Sequence, residues 1–307
     1  MRRLLIIGCG DVALRMVRKL PAGYRVYALS HSPQRYPILR GYRITPIPGN
    51  LDNPETLEML GGLAQDVVHF APPPSQGTQD TRTAHLLAGL AKGKILPHRL
   101  IYISTSGVYG DCDGEIVPET RPLRPHTLRA QRRLDAERRV REWGRRNRVC
   151  VSILRVPGIY ASDRLPLERF KNGTPALLPE QDPYSNHIHA DDLARIVIAS
   201  LRFGKPGRAY NTSDDSELRM GDYFDLVADR FGLPRPARVS YGEICQNISE
   251  TLLSFMSESR RLVNRRMKRE LQVKLRYPMV IDGLAAAEHK SASKLAQPIW
   301  ETRDTAR

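Results

Sequence analysis

Four apolar residues, Leu4-Leu5-Ile6-Ile7, run directly into Gly8-Cys9-Gly10-Asp11-Val12-Ala13, and this junction constrains the fold more than any other stretch. A short apolar run fits a strand buried on both faces, and the small residues after it fit a tight turn that opens into a helix. Each small residue of the G-x-G-x-x-A spacing has a task. Gly8 supports the turn, Gly10 lets the backbone come close to a bulky anion, and Ala13 lets the helix pack tightly on the strand. The helix then presents its free N–H groups and the positive end of its dipole to that anion. In a strand-turn-helix setting this is the cradle of a dinucleotide pyrophosphate, with Gly8, Cys9, Gly10, Asp11 and Val12 as the residues in contact.

Downstream, apolar runs alternate with helix-length amphipathic segments, the pattern of repeated βαβ units and a mostly parallel sheet. The predicted strands are Leu4–Ile7, Arg25–Leu29, Arg43–Ile47, Val67–Phe70, Leu100–Ile103 and Val149–Leu154. Helices are predicted from near Asp11, after Asn53-Pro54, over Thr81–Lys92 and over Thr127–Arg145. The expected fold is α/β, a Rossmann-type doubly wound parallel sheet with a smaller C-terminal substrate or lid domain. Residues 1–157 with about 186–201 form the expected dinucleotide-binding domain. Beyond Arg155, Pro and Gly punctuate the chain, and residues 158–185 and 202–285 are assigned to the smaller domain. Residues 286–307 lack periodicity and are expected to form a flexible tail.

An NAD site carries Asp or Glu about 20 residues past the glycines, at the end of the second strand, to hold the ribose hydroxyls. This chain has Leu29-Ser30-His31-Ser32 there, with Arg35 close by. Without a carboxylate, and with Ser30, His31 and Arg35 able to receive a 2′-phosphate, the pattern favours NADP over NAD as cofactor.

The charge is uneven as well as large. Lys and Arg number 48 against 33 Asp and Glu, a net +15, with nine arginines between Arg129 and Arg148 and a second basic cluster over Arg260–Arg276. Solvated helix faces are the ordinary explanation of such runs. A nucleic-acid partner ranks below it, because Asp135, Glu137 and Glu142 interleave with the arginines and aromatic residues make up only 7% of the chain. Cys9, Cys112, Cys150 and Cys245 show no Cys-x-x-Cys spacing, and His187 and His189 merely flank Ile188, so no metal site is expected. No apolar run approaches the roughly 18 residues of a membrane span, and about four apolar residues before the glycine turn are too few for a secretory leader. A cytoplasmic location without a membrane partner is therefore expected.

Further motifs extend the picture: Gly49-Asn50-Leu51-Asp52, Val68-His69-Phe70-Ala71, Ile103-Ser104-Thr105-Ser106-Gly107-Val108-Tyr109-Gly110, Leu154-Arg155-Val156-Pro157-Gly158-Ile159-Tyr160 and Asn186-His187-Ile188-His189-Ala190-Asp191-Asp192. With Tyr210-Asn211 they resemble extended short-chain dehydrogenases/reductases of the NAD-dependent epimerase/dehydratase type over roughly residues 3 to 285. The resemblance implies that Asn50 and Leu51 sit by the adenine, that Phe70, Ala71 and Pro72 line the cofactor, and that Pro157 and Tyr160 pass the nicotinamide. It also implies that Ser104 to Ser106 face the reacting carbon.

The departure lies in the chemistry. That family's base is a Tyr four residues before a Lys, whose charge lowers the phenol's pKa toward neutrality. Counting back from Glu137, the matching positions hold Arg129 and Arg133. No tyrosine in the chain precedes a lysine by four residues, and no lysine lies between Lys94 and Lys171. Arginine stays protonated and cannot serve as a base. The chain is thus similar to the atypical, YeeZ-like branch, which also lacks the pair. One reading is an atypical oxidoreductase or epimerase with an unidentified small-molecule substrate, in which Ser104 or Tyr109 handles the proton. The alternative is a non-catalytic NADP(H)-sensing module, and an RNA-binding relative ranks third.

Overall fold

In the computed structural model, which describes residues 1–245, 253 and 256–286, Leu4 to Ile7 are fully buried within strand β1 (Arg2–Ile7). The strand is covered on both faces, which is why its sequence is continuously apolar instead of alternating. Six more strands join it: β2 (Tyr24–Ser30), β3 (Ile44–Pro48), β4 (Asp66–His69), β5 (Arg99–Thr105), β6 (Cys150–Val156) and β7 (Arg208–Asn211). The sheet order is β3-β2-β1-β4-β5-β6-β7 and every neighbouring pair is parallel. The chain winds outward from β1 to β3, then returns to β4 on the other side of β1. The switch point therefore falls between the carboxyl ends of β1 and β4, where α/β sheets of this kind open a crevice.

Side-chain alternation sends one half of each strand to each face. Leu4, Ile6, Val68 and Ile101 pack with Ala13 and Met16 of helix α1 (Asp11–Val17) and with Leu193 and Val197, which lie further along the chain. Leu5, Ile7, Val67 and Leu100 pack on the opposite side against Leu86 and Leu90, and Ala136 and Val140. The intervening helices are α2 (Tyr36–Gly41), α3 (Thr81–Ala91) and α4 (Leu128–Asn147), and the helix that carries Leu193 is α5 (Ala190–Phe203). Each fully buried Leu or Ile contributes about 1.5–3 kcal/mol relative to exposure, so the two clusters dominate the fold's stability.

The helix starts differ in one respect. Asp80 accepts the Thr83 N–H (2.9 Å) ahead of α3, and Thr127 accepts the Ala130 N–H (3.2 Å) ahead of α4. Helix α1 begins at Gly10 with no side-chain cap.

The stretch after Asn53-Pro54 winds as a 3-10 helix, Pro54–Leu60, capped by Asn53. Strand β7 arises in the stretch that the sequence assigns to the smaller domain; four residues are too few to display a period, and pairing with β6 defines them as a strand. Beyond the sheet, Tyr160, Tyr223, Phe224, Val227, Val280 and Leu284 form a separate apolar cluster that includes helix α6 (Met220–Phe231). Residues 287–307, nearly all of the expected tail, lie outside the described residues. Among the described residues no helix is long and apolar enough to cross a membrane.

Candidate functional site

A cleft of about 540 Å³ opens at the carboxyl ends of β1, β2, β4, β5 and β6, with all of Gly8 to Ala13 on its wall. Gly8 has φ +84°, and a Cβ there would lie 2.5 Å from the Ala71 nitrogen, so the protein's own packing requires glycine. Gly10 is different. A Cβ at Gly10 would meet no atom within 4 Å, so nothing in the chain itself demands a glycine, and the space beside it belongs to the cleft. Burial pushes the neighbouring Cys9 thiol up to about 11, against the pull of Arg35, which keeps it neutral near pH 7.

Arg35 donates from Nη2 to the Cys9 carbonyl (2.7 Å) and so lies across the turn. Ser30, His31 and Ser32 line the same end, and the Ser30 hydroxyl donates to the Ser32 carbonyl (3.3 Å). Asp11 brings a negative charge to this end, but Arg15 (2.9 Å) and Arg164 (3.3 Å) pair with it. Arg15 also reaches Asp163 (2.6 Å) and Asp191 (3.3 Å), tying α1 to the rim and to α5.

Phe70, Ala71, Pro72 and Pro157 line the cleft, whereas Asn50, Leu51 and Tyr160 do not. Asn50 shapes its own loop, accepting the Asp52 N–H (3.0 Å) on Oδ1. Leu51 is buried, and its carbonyl accepts from His85 Nδ1 (2.7 Å). Tyr160 is buried in the C-terminal apolar cluster, its hydroxyl donating to the Met279 carbonyl (3.4 Å).

At the other end Ser104, Thr105 and Arg133 form the floor. Ser104 donates its hydroxyl proton to Glu137 Oε1 (2.7 Å), and Arg155 grips Glu137 through Nε (3.1 Å) and Nη2 (2.8 Å). Arg155 Nη1 also donates to the Tyr109 hydroxyl (2.8 Å), which donates onward to Asn211 Oδ1 (2.7 Å). Tyr109 is 1% exposed and lies off the cleft; burial pushes its phenol up to about 12 although Arg155 pulls it down. Arg133 donates from Nη1 to the Ile103 carbonyl (2.8 Å) and the Tyr102 hydroxyl (3.2 Å). Thr105 falls within the Ser104–Ser106 stretch that the resemblance places by the reacting carbon, whereas Arg133 does not stand out as a site residue in the sequence, although the register counted from Glu137 puts it where a lysine is expected.

The arginines of α4 are largely engaged within the protein. Arg132 donates to the Gly77 carbonyl (2.6 Å), Arg139 pairs with Asp135 (2.7 Å), Arg146 with Glu142, and Arg141 donates to the Gly207 carbonyl. His187 stacks on Tyr223 with centroids 4.2 Å apart, and His189 Nδ1 accepts the Asp191 N–H (3.1 Å). Among the described residues no three ligand side chains group to hold a metal.

A parallel sheet in this order, with a glycine turn and an open cleft at its switch point, defines a nucleotide-binding α/β protein of the extended short-chain dehydrogenase/reductase type. Residues 5–213 match the NAD dependent epimerase/dehydratase family, and the chain belongs to that family. Among solved structures it is similar to a functionally unknown conserved protein from Silicibacter pomeroyi (28% identity, 94% of this chain and 99% of that one, TM-score 0.77). It is also similar in fold to a UDP-glucose 4-epimerase from Thermotoga maritima (16% identity, 95% and 99% covered, TM-score 0.77). A dTDP-glucose 4,6-dehydratase from Streptomyces venezuelae, solved with NAD, shares the fold too (22% identity, 95% and 97% covered, TM-score 0.76). No curated protein matches.

Proposed function

We propose that the chain binds NADP(H) in this cleft and works as a cofactor-binding member of its family, without the tyrosine-based proton transfer of an epimerase or dehydratase. Gly8, Cys9, Gly10, Asp11 and Val12 would hold the pyrophosphate, Ser30, His31 and Arg35 the 2′-phosphate, and Phe70, Ala71, Pro72 and Pro157 the walls around the rings. The bound dinucleotide would supply a hydride donor or acceptor. Gly10 supports the fit, because the open space beside it leaves the backbone free for a pyrophosphate to approach.

The observation that carries the second half is Arg133 on the cleft floor. A guanidinium can hold a ribose or a developing negative charge by hydrogen bonding, but it cannot take up a proton. Tyr109 has both an acceptor and a donor bond committed to buried partners, and the Ser104 proton is committed to Glu137. The missing Tyr-x-x-x-Lys pair also supports a likeness to the YeeZ-like branch.

Fluorescence titration with NADPH and NADH tests the reading. NADPH should bind at least about tenfold more tightly, and Ser30→Asp should reverse that order by repelling the 2′-phosphate. Equal affinities overturn the 2′-phosphate assignment; no binding of either overturns the cofactor assignment. A nonstandard oxidoreductase or epimerase is the second reading, favoured by Thr105. Thr105 lines the cleft, and its hydroxyl accepts the Gly107 N–H (3.3 Å), which leaves its own proton free to donate. Turnover that disappears in Thr105→Val would establish that reading instead.

A further inference from the structure

A second cavity, of about 740 Å³, lies at the amino ends of β1, β2 and β5, at the far end of the sheet from the cleft. Its side walls are the residues that follow α1 and the last turns of α5. Five cations line it, Arg2, Lys19, Arg99, Arg195 and Arg202, and no carboxylate does. Tyr24 and Phe203 supply aromatic surface beside Ile198 and Leu201, and the two rings are only partly buried.

The protein's own needs explain part of this charge. Arg2 satisfies the fully buried Asp66 (2.8 Å), and Lys19 lies 3.4 Å from Asp191. Lys19 and Arg202 also sit near helix carboxyl ends, which favour cations. Arg99 donates to the Gly204 carbonyl (2.8 Å), and among the described residues Arg195 has only a long 3.6 Å pairing with Asp192. Among the described residues neither Arg99 nor Arg202 has a carboxylate partner. Arg202 instead lies over the Phe203 ring, 4.9 Å from its centroid, which makes a layered guanidinium-on-ring surface. Like charges converging on a partly apolar concavity repel one another unless an anion sits among them.

We propose that this cavity is a second ligand site, for a small aromatic anion such as an aryl phosphate. Its flat body would lie against Tyr24 and Phe203, and its charged group would be gripped by the guanidiniums of Arg99, Arg195 and Arg202. The size suits this, since small-molecule sites run about 300–1,000 Å³. Guanidinium forks recognise phosphate bidentately, which a solvated lysine patch does not do. The site is separate from the cofactor cleft, because the phosphate turn is at the opposite end of α1, about 10 Å away along a seven-residue helix.

Titration of the full-length chain with 4-methylumbelliferyl phosphate tests it, with a parallel titration of the Gly10→Asp chain to disable the first cleft. Both should bind the probe equally. The double variant Arg195→Ala/Arg202→Ala removes exposed charges and should bind it at least about tenfold more weakly, since charge-assisted hydrogen bonds are lost, with NADPH affinity unchanged. Uncharged 4-methylumbelliferone should bind at least about tenfold more weakly than its phosphate. Should the double variant fail to fold by circular dichroism, Lys19→Glu on the exposed rim supplies the same test in the same direction. The proposal is overturned if these variants bind the probe like the parent chain, if the neutral analogue binds equally well, or if Gly10→Asp abolishes probe binding. Displacement of the probe by a single-stranded oligonucleotide at lower concentration than by inorganic phosphate would assign the surface to nucleic acid and overturn it too.

Discussion

At the phosphate end of the cleft, the residues match what a pyrophosphate requires: Gly8 is forced by Ala71, Gly10 opens onto empty space, and α1 starts without a side-chain cap. At the far end the positions expected to move a proton hold Arg129 and Arg133, and the local hydroxyls of Ser104 and Tyr109 are bonded into a buried network with Glu137, Arg155 and Asn211. The contrast teaches that binding and chemistry are separable in this fold. Binding rests on backbone geometry spread over a strand, a turn and a helix. In the family the chain resembles, proton transfer rests on two side chains, and here arginines stand at the matching positions while the sheet is intact.

The largest expected effect tests the chemical end. With a sugar-nucleotide substrate and NADP or NAD, turnover should fall about 10²–10⁴ below that of an enzyme with a general acid–base pair. A coupled assay at ordinary enzyme rates would erase the contrast. The phosphate end comes next: Gly10→Asp puts a side chain and a negative charge into the approach path, and affinity for NADPH should drop about a hundredfold or more. A folded variant that keeps its affinity would move the cofactor elsewhere.

Tyr109→Phe sharpens the comparison from within. It removes the bonds to Arg155 and Asn211 and should destabilise the fold by about 1–3 kcal/mol in a urea titration. NADPH affinity should not change, because the phenol is off the cleft. A loss of cofactor affinity without a loss of stability would put Tyr109 back among the site residues.

A last test concerns the region beyond the sheet, where Asp214 is 3% exposed and burial pushes its carboxyl up to about 8. Its folded pKa lies above the unfolded value near 4, so folding favours the neutral acid. The associated stability is present below about pH 4 and is lost as pH rises toward about 8. Asp214→Asn should flatten that decline in urea midpoints measured across the interval. An unchanged slope would mean that Asp214 ionises freely in the folded chain.

Much of the fold was legible in the sequence because its signals are local. The run Leu4–Ile7 and the glycines after it specify a buried strand, a tight turn and a helix without help from distant residues, and the apolar alternation repeats that logic for the next five strands, while β7 escaped it. Local signals also identified Ser30, His31 and Arg35, which line one end of the cleft, and the absence of a Tyr-x-x-x-Lys pair. Tertiary structure decided where the remaining candidates went. Tyr109 and Tyr160 sit in motifs resembling those of an active site, yet packing buries both away from the cleft, because a strand end or 3-10 turn fixes a side chain's direction only once its neighbours are in place. Arg133 reaches the cleft floor through the packing of α4 against β5, a relation between segments about 30 residues apart in the chain. The five cations of the second cavity come from β1, β5, α5 and the residues after α1, and no spacing along the chain could have brought them together. Periodicity and turn chemistry act between near neighbours and can be read in order; pockets are made by residues that meet only when the sheet closes.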